Sequence, residues 1–387
     1  MTIKKQLIRA LKKHRKIFLI VKALKFIYDS SIRKIDGSKK KYPKVIQLPI
    51  TYICNSRCVM CNIWKMDRSN EMTLDEFSNF LKDPIFKKVE FVGINGGEPS
   101  LIRNLPEYIN EVIKLPNIKA LNIISHGFHT TRLLRFVELI YTMCQNKGIS
   151  FHVSISLDGF GVIHDTVRGI PKAFYKTTST IDKIIDSQHK YCDSYDVGCT
   201  IVKQNISYLM ELDAYAKRKN YNIKYRLGIE NKRIESDKLV DQFSVIYSPL
   251  RQSAKEFFHY QTSQSKEIVN KFKFYAIFLW LNASKPKRLL GCSWKDEGIT
   301  LDARGELYYC AVASKTLGSL REKKGEEVFF GDKNIEYRKS IIENNCDDCI
   351  HDYNGKLEFR NVWKFLSDTI KERYAMNNYE IKARFMR

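Results

Sequence analysis

Long apolar runs are missing from this 387-residue sequence, and with them the simplest route to a membrane protein. The apolar run that begins at Ile17 is interrupted by Lys22 and Lys25, far short of the ~20 residues a membrane span requires. No small-residue cleavage site follows it, so neither a transmembrane helix nor a signal peptide is expected. Acidic residues are scarce as well: 43 Asp and Glu stand against 66 Lys and Arg, a formal net charge of +23. The imbalance is uneven, because the first 44 residues hold many basic side chains and only two acids, Asp29 and Asp36. The body of the chain is only mildly basic, so the total does not make a general nucleic-acid surface, and no specific nucleic-acid partner is expected. Internal repeats and low-complexity segments are also absent, apart from a rhythm of alternating elements described below.

The basic arm itself, residues 1–42, carries apolar side chains at Ile3, Leu7, Leu11, Phe18 and Val21 on a helical stripe, broken at His14. Such a helix can lie on an anionic membrane surface, hold an acidic partner, or pack on the protein with its lysines in water. The expected location is cytoplasmic, with the arm as the means of any membrane-surface association.

Without a secretion signal, ten cysteines argue for metal or redox use and against a disulfide framework. Their setting is a β-then-α rhythm. β-branched and apolar runs at 44–50, 89–94, 119–125, 149–156, 196–202 and 223–229 read as strands. Stretches of helical period lie between them at 73–83, 105–115, 177–186 and 206–219. Thr73 with Glu76 forms a capping-box pattern, and Asn205 or Ser207 can cap the last of these helices. Six such units imply parallel strands with the chemistry in the loops that follow them, and six are too few for a closed eight-fold barrel. After Ile229 come a mostly helical stretch, about 237–283, and a short cysteine-bearing region with hairpin character, GITLDARGELYYC.

Cys54, Cys58 and Cys61 fall in the loop after the first strand, within TYICNSRCVMCNIWK. Three soft thiolates can hold three irons of a 4Fe-4S cubane and leave the fourth open. Zinc bound by three cysteines and one histidine is the alternative, but the nearest downstream histidine is His126. The C-x3-C-x2-C spacing resembles the signature of the radical S-adenosylmethionine (radical SAM) superfamily, with Met60 where an aromatic often stands.

That resemblance implies that the open iron chelates S-adenosylmethionine (AdoMet), whose reductive cleavage gives a 5′-deoxyadenosyl radical. It implies further that Gly96, Gly97 and Glu98, in NGGEP after the second strand, contact the methionine part, with Glu98 accepting from its ammonium. Ser156 and Asp158, in SISLDG, resemble positions that contact the AdoMet ribose or carboxylate, and Asn205 a polar position near the adenosine. Arg168, in HDTVRG, resembles a partner for the AdoMet carboxylate, although Asp158 and Arg168 equally suit a turn or a salt bridge.

Cys292, Cys310, Cys346 and Cys349 resemble the auxiliary-cluster region called SPASM, or Twitch in its shortened form. No further cysteine follows the last pair, which implies a single auxiliary 4Fe-4S cluster; a four-thiolate zinc site fits the same residues by ligand count. Cys144, Cys192 and Cys199 remain. All three read by default as buried inert thiols. Cys199, on the fifth strand, is a candidate to return a hydrogen atom to a substrate radical if it faces the barrel interior.

The expected architecture is α/β: a basic arm (1–42), a partial (β/α)6 radical SAM barrel (43–235), a helical connection (236–287), a small α+β Twitch/SPASM-like cluster domain (288–355) and a helical tail (356–387). The expected activity is hydrogen abstraction from an unactivated C–H bond of a small polar, sugar-like substrate, ending in oxidation or epimerisation. A peptide or protein side chain is the alternative substrate, although no peptide-recognition domain of winged-helix type is apparent. A non-catalytic cluster scaffold or nucleic-acid binder is the alternative from another class. A reduced flavodoxin- or ferredoxin-type protein is the expected electron donor.

Overall fold

The computed structural model describes residues 41–310, 312–351 and 361–368. The basic arm, up to residue 40, lies outside them, as does most of the C-terminal tail. Among the described residues no helix is long and apolar enough to cross a membrane.

All six expected strands are present, as β1 (Val45–Pro49), β2 (Phe91–Asn95), β3 (Ala120–Ser125), β4 (Ser150–Ser156), β5 (Ser194–Ile201) and β6 (Ile223–Leu227). Each pairs in parallel with the next. The helices that return the chain between them include α1 (Leu74–Leu81), α2 (Leu105–Val112), α3 (Thr130–Asn146), α4 (Val162–Arg168), α5 (Ala173–Asp186) and α6 (Leu209–Arg218). Thr73 caps α1 as its sequence specifies: Glu76 N donates to Thr73 Oγ1 at 3.2 Å and Thr73 N to Glu76 Oε2 at 2.9 Å. Neither Asn205 nor Ser207 caps α6, whose N-cap is Tyr208 without a side-chain bond.

The sheet does not end at β1. The expected hairpin forms as β7 (Gly298–Leu301) and β8 (Glu306–Tyr308), but β7 adds to the barrel sheet parallel to β1, and β9 (Gly318–Ser319) completes the order β6-β5-β4-β3-β2-β1-β7-β8-β9. The cap is therefore not set apart at residue 288 as expected. Among the described residues, 41–250, 293–310 and 312–347 form one compact unit, in which β7 satisfies the edge hydrogen bonds of β1 that would otherwise be bare. A second compact unit contains residues 251–292, 348–351 and 361–368. Its helices α7 (Arg251–Gln264) and α8 (Ile268–Asn282) pack on each other, Phe365 packs against Phe272 and Tyr275, and Arg288 donates to the carbonyls of Cys349 (3.0 Å) and His351 (2.6 Å).

Alternation along the strands gives the barrel sheet two unlike faces. Phe151, Val153 and Ile155 on β4 face the helices, with Phe151 stacked on Tyr141 of α3 at 6.4 Å. In register with them are Val197 and Cys199 on β5, and then Tyr225 on β6, whose hydroxyl donates to Asp213 of α6 at 3.1 Å. The opposite, concave face is polar. There Asp196 accepts from His152 (3.1 Å) and Ser154 and is bridged by Lys224 at 2.5 Å. Burial alone would raise the Asp196 carboxyl, but these partners outweigh it and hold it well below the usual carboxylate range.

Candidate functional site

The loop that follows β1 is tied down from every side, and each tie lies within the barrel unit. Glu71, ahead of α1, accepts from Tyr52 N at 2.6 Å and from Thr51 Oγ1 at 3.0 Å. From β2, Gly97 N and Glu98 N donate to Thr51 O and Ile53 O, both at 2.7 Å. At the end of α4 the Arg168 carbonyl accepts from Arg57 N (2.8 Å) and Ser56 Oγ (3.0 Å), and Val167 O from Val59 N (3.0 Å). After β6, Glu235 O accepts from Asn62 Nδ2 at 2.9 Å. These ties position Cys54, Cys58 and Cys61, all half-buried free thiols. Burial pushes the Cys54 thiol up to about 11 and Cys61 to about 12, so a metal entering here must displace protons.

Gly96 and Gly97 act on protein rather than on open space. Gly96 has φ +115°, and a Cβ on Gly97 would stand 2.0 Å from the Ile53 carbonyl oxygen. The two glycines let the β2 loop lie flat against the backbone leading into Cys54. Gly97→Ala is expected to displace that backbone, leaving a folded barrel that retains well under half of the wild-type iron after anaerobic reconstitution; full retention would count against this role.

The Glu98 carboxylate is 1% exposed and accepts from Ser100 N (3.0 Å), Ser125 Oγ (2.7 Å) and His126 N (2.9 Å). Burial would raise it, but the His126 side chain and these donors hold it below the ordinary carboxylate value. Through these bonds Glu98 ties β2 to β3. His126, which the sequence singled out only as a distant zinc ligand, completes the tie. Its Nδ1 accepts from Phe128 N at 3.1 Å, so Nε2 carries the proton and donates to Asn55 Oδ1 at 2.8 Å, beside Cys54. Burial pushes this imidazole down from 6.5 to about 4 despite the Glu98 charge. A depressed histidine adds stability that is complete above the unfolded value and lost as pH falls through the folded one. Wild type is thus expected to lose on the order of 3 kcal/mol between pH 6.5 and 4 from this group. His126→Gln should flatten that limb in anaerobic denaturation curves, and an unchanged limb would refute the assignment.

Asp158, Arg168 and Asn205 come together, in a network of their own. Arg168 Nη2 lies 2.5 Å from Asp158 Oδ2, and its Nη1 donates to Cys58 Sγ at 3.6 Å. Asp158 Oδ1 accepts from Thr200 N at 2.7 Å, and His164 Nδ1 accepts from Asp158 N at 3.0 Å. Asn205 donates to the carbonyls of Asp158 and Thr200, both at 2.8 Å, and accepts from Val202 N. All three side chains are buried. The salt bridge is the arrangement found, and Asn205 is a brace between β4 and β5 rather than a helix cap. Ser156 stands apart, half-buried at the end of β4 on the concave face and in register with Gly198.

Cys199 does not look into the barrel. It shares the face of Val197 and Tyr225 toward the helices and is fully buried, which pushes its thiol well above its ordinary value. The expectation of a hydrogen donor is overturned by register. The alternation in DVGCTIV carried that signal, with polar or small residues at 196, 198 and 200 and apolar ones between. Of the C-terminal cysteines, Cys310 and Cys346 belong to the barrel unit and Cys292 and Cys349 to the second, where burial raises the Cys349 thiol and Cys292 adds to the effect. Among the described residues no three His, Cys, Asp or Glu side chains gather around a single point at metal-ion distance.

An open parallel β/α barrel with three anchored thiols after its first strand defines a class of cluster-bearing enzyme. Residues 48–213, which carry the barrel, match the Radical SAM superfamily. The chain is similar to the GTP 3',8-cyclase of Alkaliphilus oremlandii, 29% identical over 42% of this chain and 46% of that protein. It is similar also to that of Helicobacter pylori (strain J99), 27% identical over 49% and 57%. The chain thus spans about half the length of these curated relatives. Among solved structures, anSMEcpe with bound AdoMet superposes with a TM-score of 0.56 at 15% identity, over 85% of this chain and 97% of that one. SuiB of Streptococcus suis bound to S-adenosylmethionine gives 0.53 at 15%, over 78% and 68%. The family that residues 48–213 match implies a 4Fe-4S cluster and AdoMet. The donor set fits: three thiols, soft ligands suited to iron-sulfur, lie in one anchored loop with a guanidinium at Cys58.

Proposed function

We propose that this chain is a radical SAM oxidoreductase whose substrate is a small polar molecule bound against the concave face of the barrel sheet. Cys54, Cys58 and Cys61 would hold the AdoMet-binding 4Fe-4S cluster, with Arg168 placing positive charge against Cys58. When bound, the cluster and AdoMet supply one-electron cleavage of the sulfonium and a 5′-deoxyadenosyl radical able to take hydrogen from an unactivated C–H bond. Cys292, Cys310, Cys346 and Cys349 would hold an auxiliary cluster that accepts the remaining electron of an oxidation. Epimerisation loses its named hydrogen donor, because Cys199 faces the helices.

The observation that carries the substrate class is the polar concave face. Asn95 Oδ1, Asn122 Oδ1 and Thr300 Oγ1 are buried there without a hydrogen-bond partner among the described residues. Gln47 on β1 is in register with Thr300 on one side and Gly93 on the other, and Gly93 with Asn122, so these groups line one region of the face. Buried acceptors left open favour a ligand rich in hydroxyl or amino donors. The name of the curated relatives, GTP 3',8-cyclase, describes a reaction of a small polar nucleotide and supports the same class.

Reconstituted full-length protein given AdoMet and dithionite or reduced flavodoxin is expected to form methionine and 5′-deoxyadenosine. With deuterated candidate sugars and nucleotides, deuterium should enter 5′-deoxyadenosine. No AdoMet cleavage with any reductant would refute the radical reading, and deuterium transfer only from a peptide would refute the substrate class.

A further inference from the structure

Arg233 lies in the short helical turn Lys232–Ile234 that follows β6. Two ties fix that turn. Lys232 N donates to Val312 O at 2.9 Å, two residues past Cys310, and Asn62 beside Cys61 donates to Glu235 O at 2.9 Å. Ile234 packs against Tyr52, Ile63 and Ala303 together with Cys54 and Cys61. The Arg233 charge also acts on the Cys61 thiol and the Tyr52 phenol. The side chain is therefore held between the first cysteine loop and the turn that carries Cys310.

Its Nε and Nη1 are buried and have no hydrogen-bond partner among the described residues. Leaving charged donors desolvated and unpaired is costly. Four acids around the first cysteine loop and its neighbouring hairpin are engaged elsewhere. Glu98 accepts from Ser100, Ser125 and His126, and Asp158 from Thr200 while paired with Arg168. Glu71 accepts from Thr51 and Tyr52, and Asp302 from Tyr52 and Tyr308. A guanidinium with open donors at Nε and Nη1, one on each side of Nη2, is suited to bind a carboxylate or phosphate.

We infer that Arg233 is the anchor of an oxyanion site and holds a carboxylate or phosphate group of the substrate beside the first cysteine loop. This rests on the proposed function for the presence of a substrate there, and it narrows the polar substrate to an anionic one. The neutral donors of such a molecule would meet the concave face while its charged end meets Arg233.

The test uses anaerobically reconstituted full-length protein and two probes, inorganic phosphate and AdoMet, titrated calorimetrically into wild type, Arg233→Gln and Arg233→Lys. Iron content and melting curves confirm folding, and the lysine variant carries the test if the glutamine variant does not fold. Phosphate affinity is expected to fall about tenfold or more in Arg233→Gln, the effect of losing a charge-assisted hydrogen bond, and less in Arg233→Lys, with AdoMet affinity retained. A tenfold loss confined to AdoMet overturns the proposal, because the anion at Arg233 is then the AdoMet carboxylate and not the substrate. Absent or unchanged phosphate binding with unchanged AdoMet affinity overturns the site. Arg233-dependent phosphate binding in a protein that never cleaves AdoMet would refute the radical reading and leave the site standing.

Discussion

Replacing Cys54, Cys58 and Cys61 together with alanine is expected to abolish 5′-deoxyadenosine formation and to lower bound iron from about eight to about four per chain, one cubane's worth. The physical reason lies in the loop. Its backbone is fixed by Glu71, Gly97, Glu98, Val167, Arg168 and Glu235, so deleting three thiols removes ligands without removing the scaffold. The residual four irons would belong to the auxiliary cluster proposed above. Wild-type protein with about four irons, all lost in the triple variant, would leave the first cluster in place and remove the auxiliary one. Zinc in place of iron at either set would remove the redox role proposed for it. Melting curves of the triple variant distinguish ligand loss from unfolding.

Arg168→Met is expected to destabilise the barrel by about 3–5 kcal/mol, the cost of leaving one partner of a buried ion pair uncompensated. Asp158 is fully buried, and its remaining acceptor bond, from Thr200 N, cannot neutralise a carboxylate. Asp158→Asn combined with Arg168→Met should recover a large part of that loss, because the amide keeps the Thr200 bond and carries no charge. Anaerobic denaturation of the two single variants and the double variant gives the coupling energy directly. Additive losses would show that the pair does not act as a unit. Arg168→Met also removes the donor to Cys58 Sγ, so any change in cluster spectrum should follow Arg168 and be smaller in Asp158→Asn.

Much of the barrel was legible beforehand because its signals are local. The β-branched runs became β1 to β6 within a few residues, and the Thr73–Glu76 pattern became a capping box. The hairpin at 298–308 was also readable, since Gly305 at φ +83° supplies its turn. The site was legible in its residue types but less so in their duties. Glu98 and Asn205 carry polar groups of the kind a ligand needs, yet both spend them on neighbouring strands and loops. Glu71 sits in a stretch, DRSNEM, that reads as ordinary surface loop, and no local pattern marks it as the clamp on Thr51 and Tyr52.

By itself, then, the sequence determined the parallel β/α rhythm, the three-cysteine loop after the first strand and the superfamily they define. These depend on short-range periodicity and on spacing along a single loop. Tertiary structure decided the rest. It set β7 against β1, turned Cys199 toward the helices, paired Asp158 with Arg168 against Cys58, and left Arg233 with open donors between two cysteine-bearing segments. The β1–β7 pairing and the Arg168–Cys58 contact depend on which segments become neighbours across a hundred residues or more, and the facing of Cys199, although its alternation is visible locally, depends on which side of the sheet the helices cover.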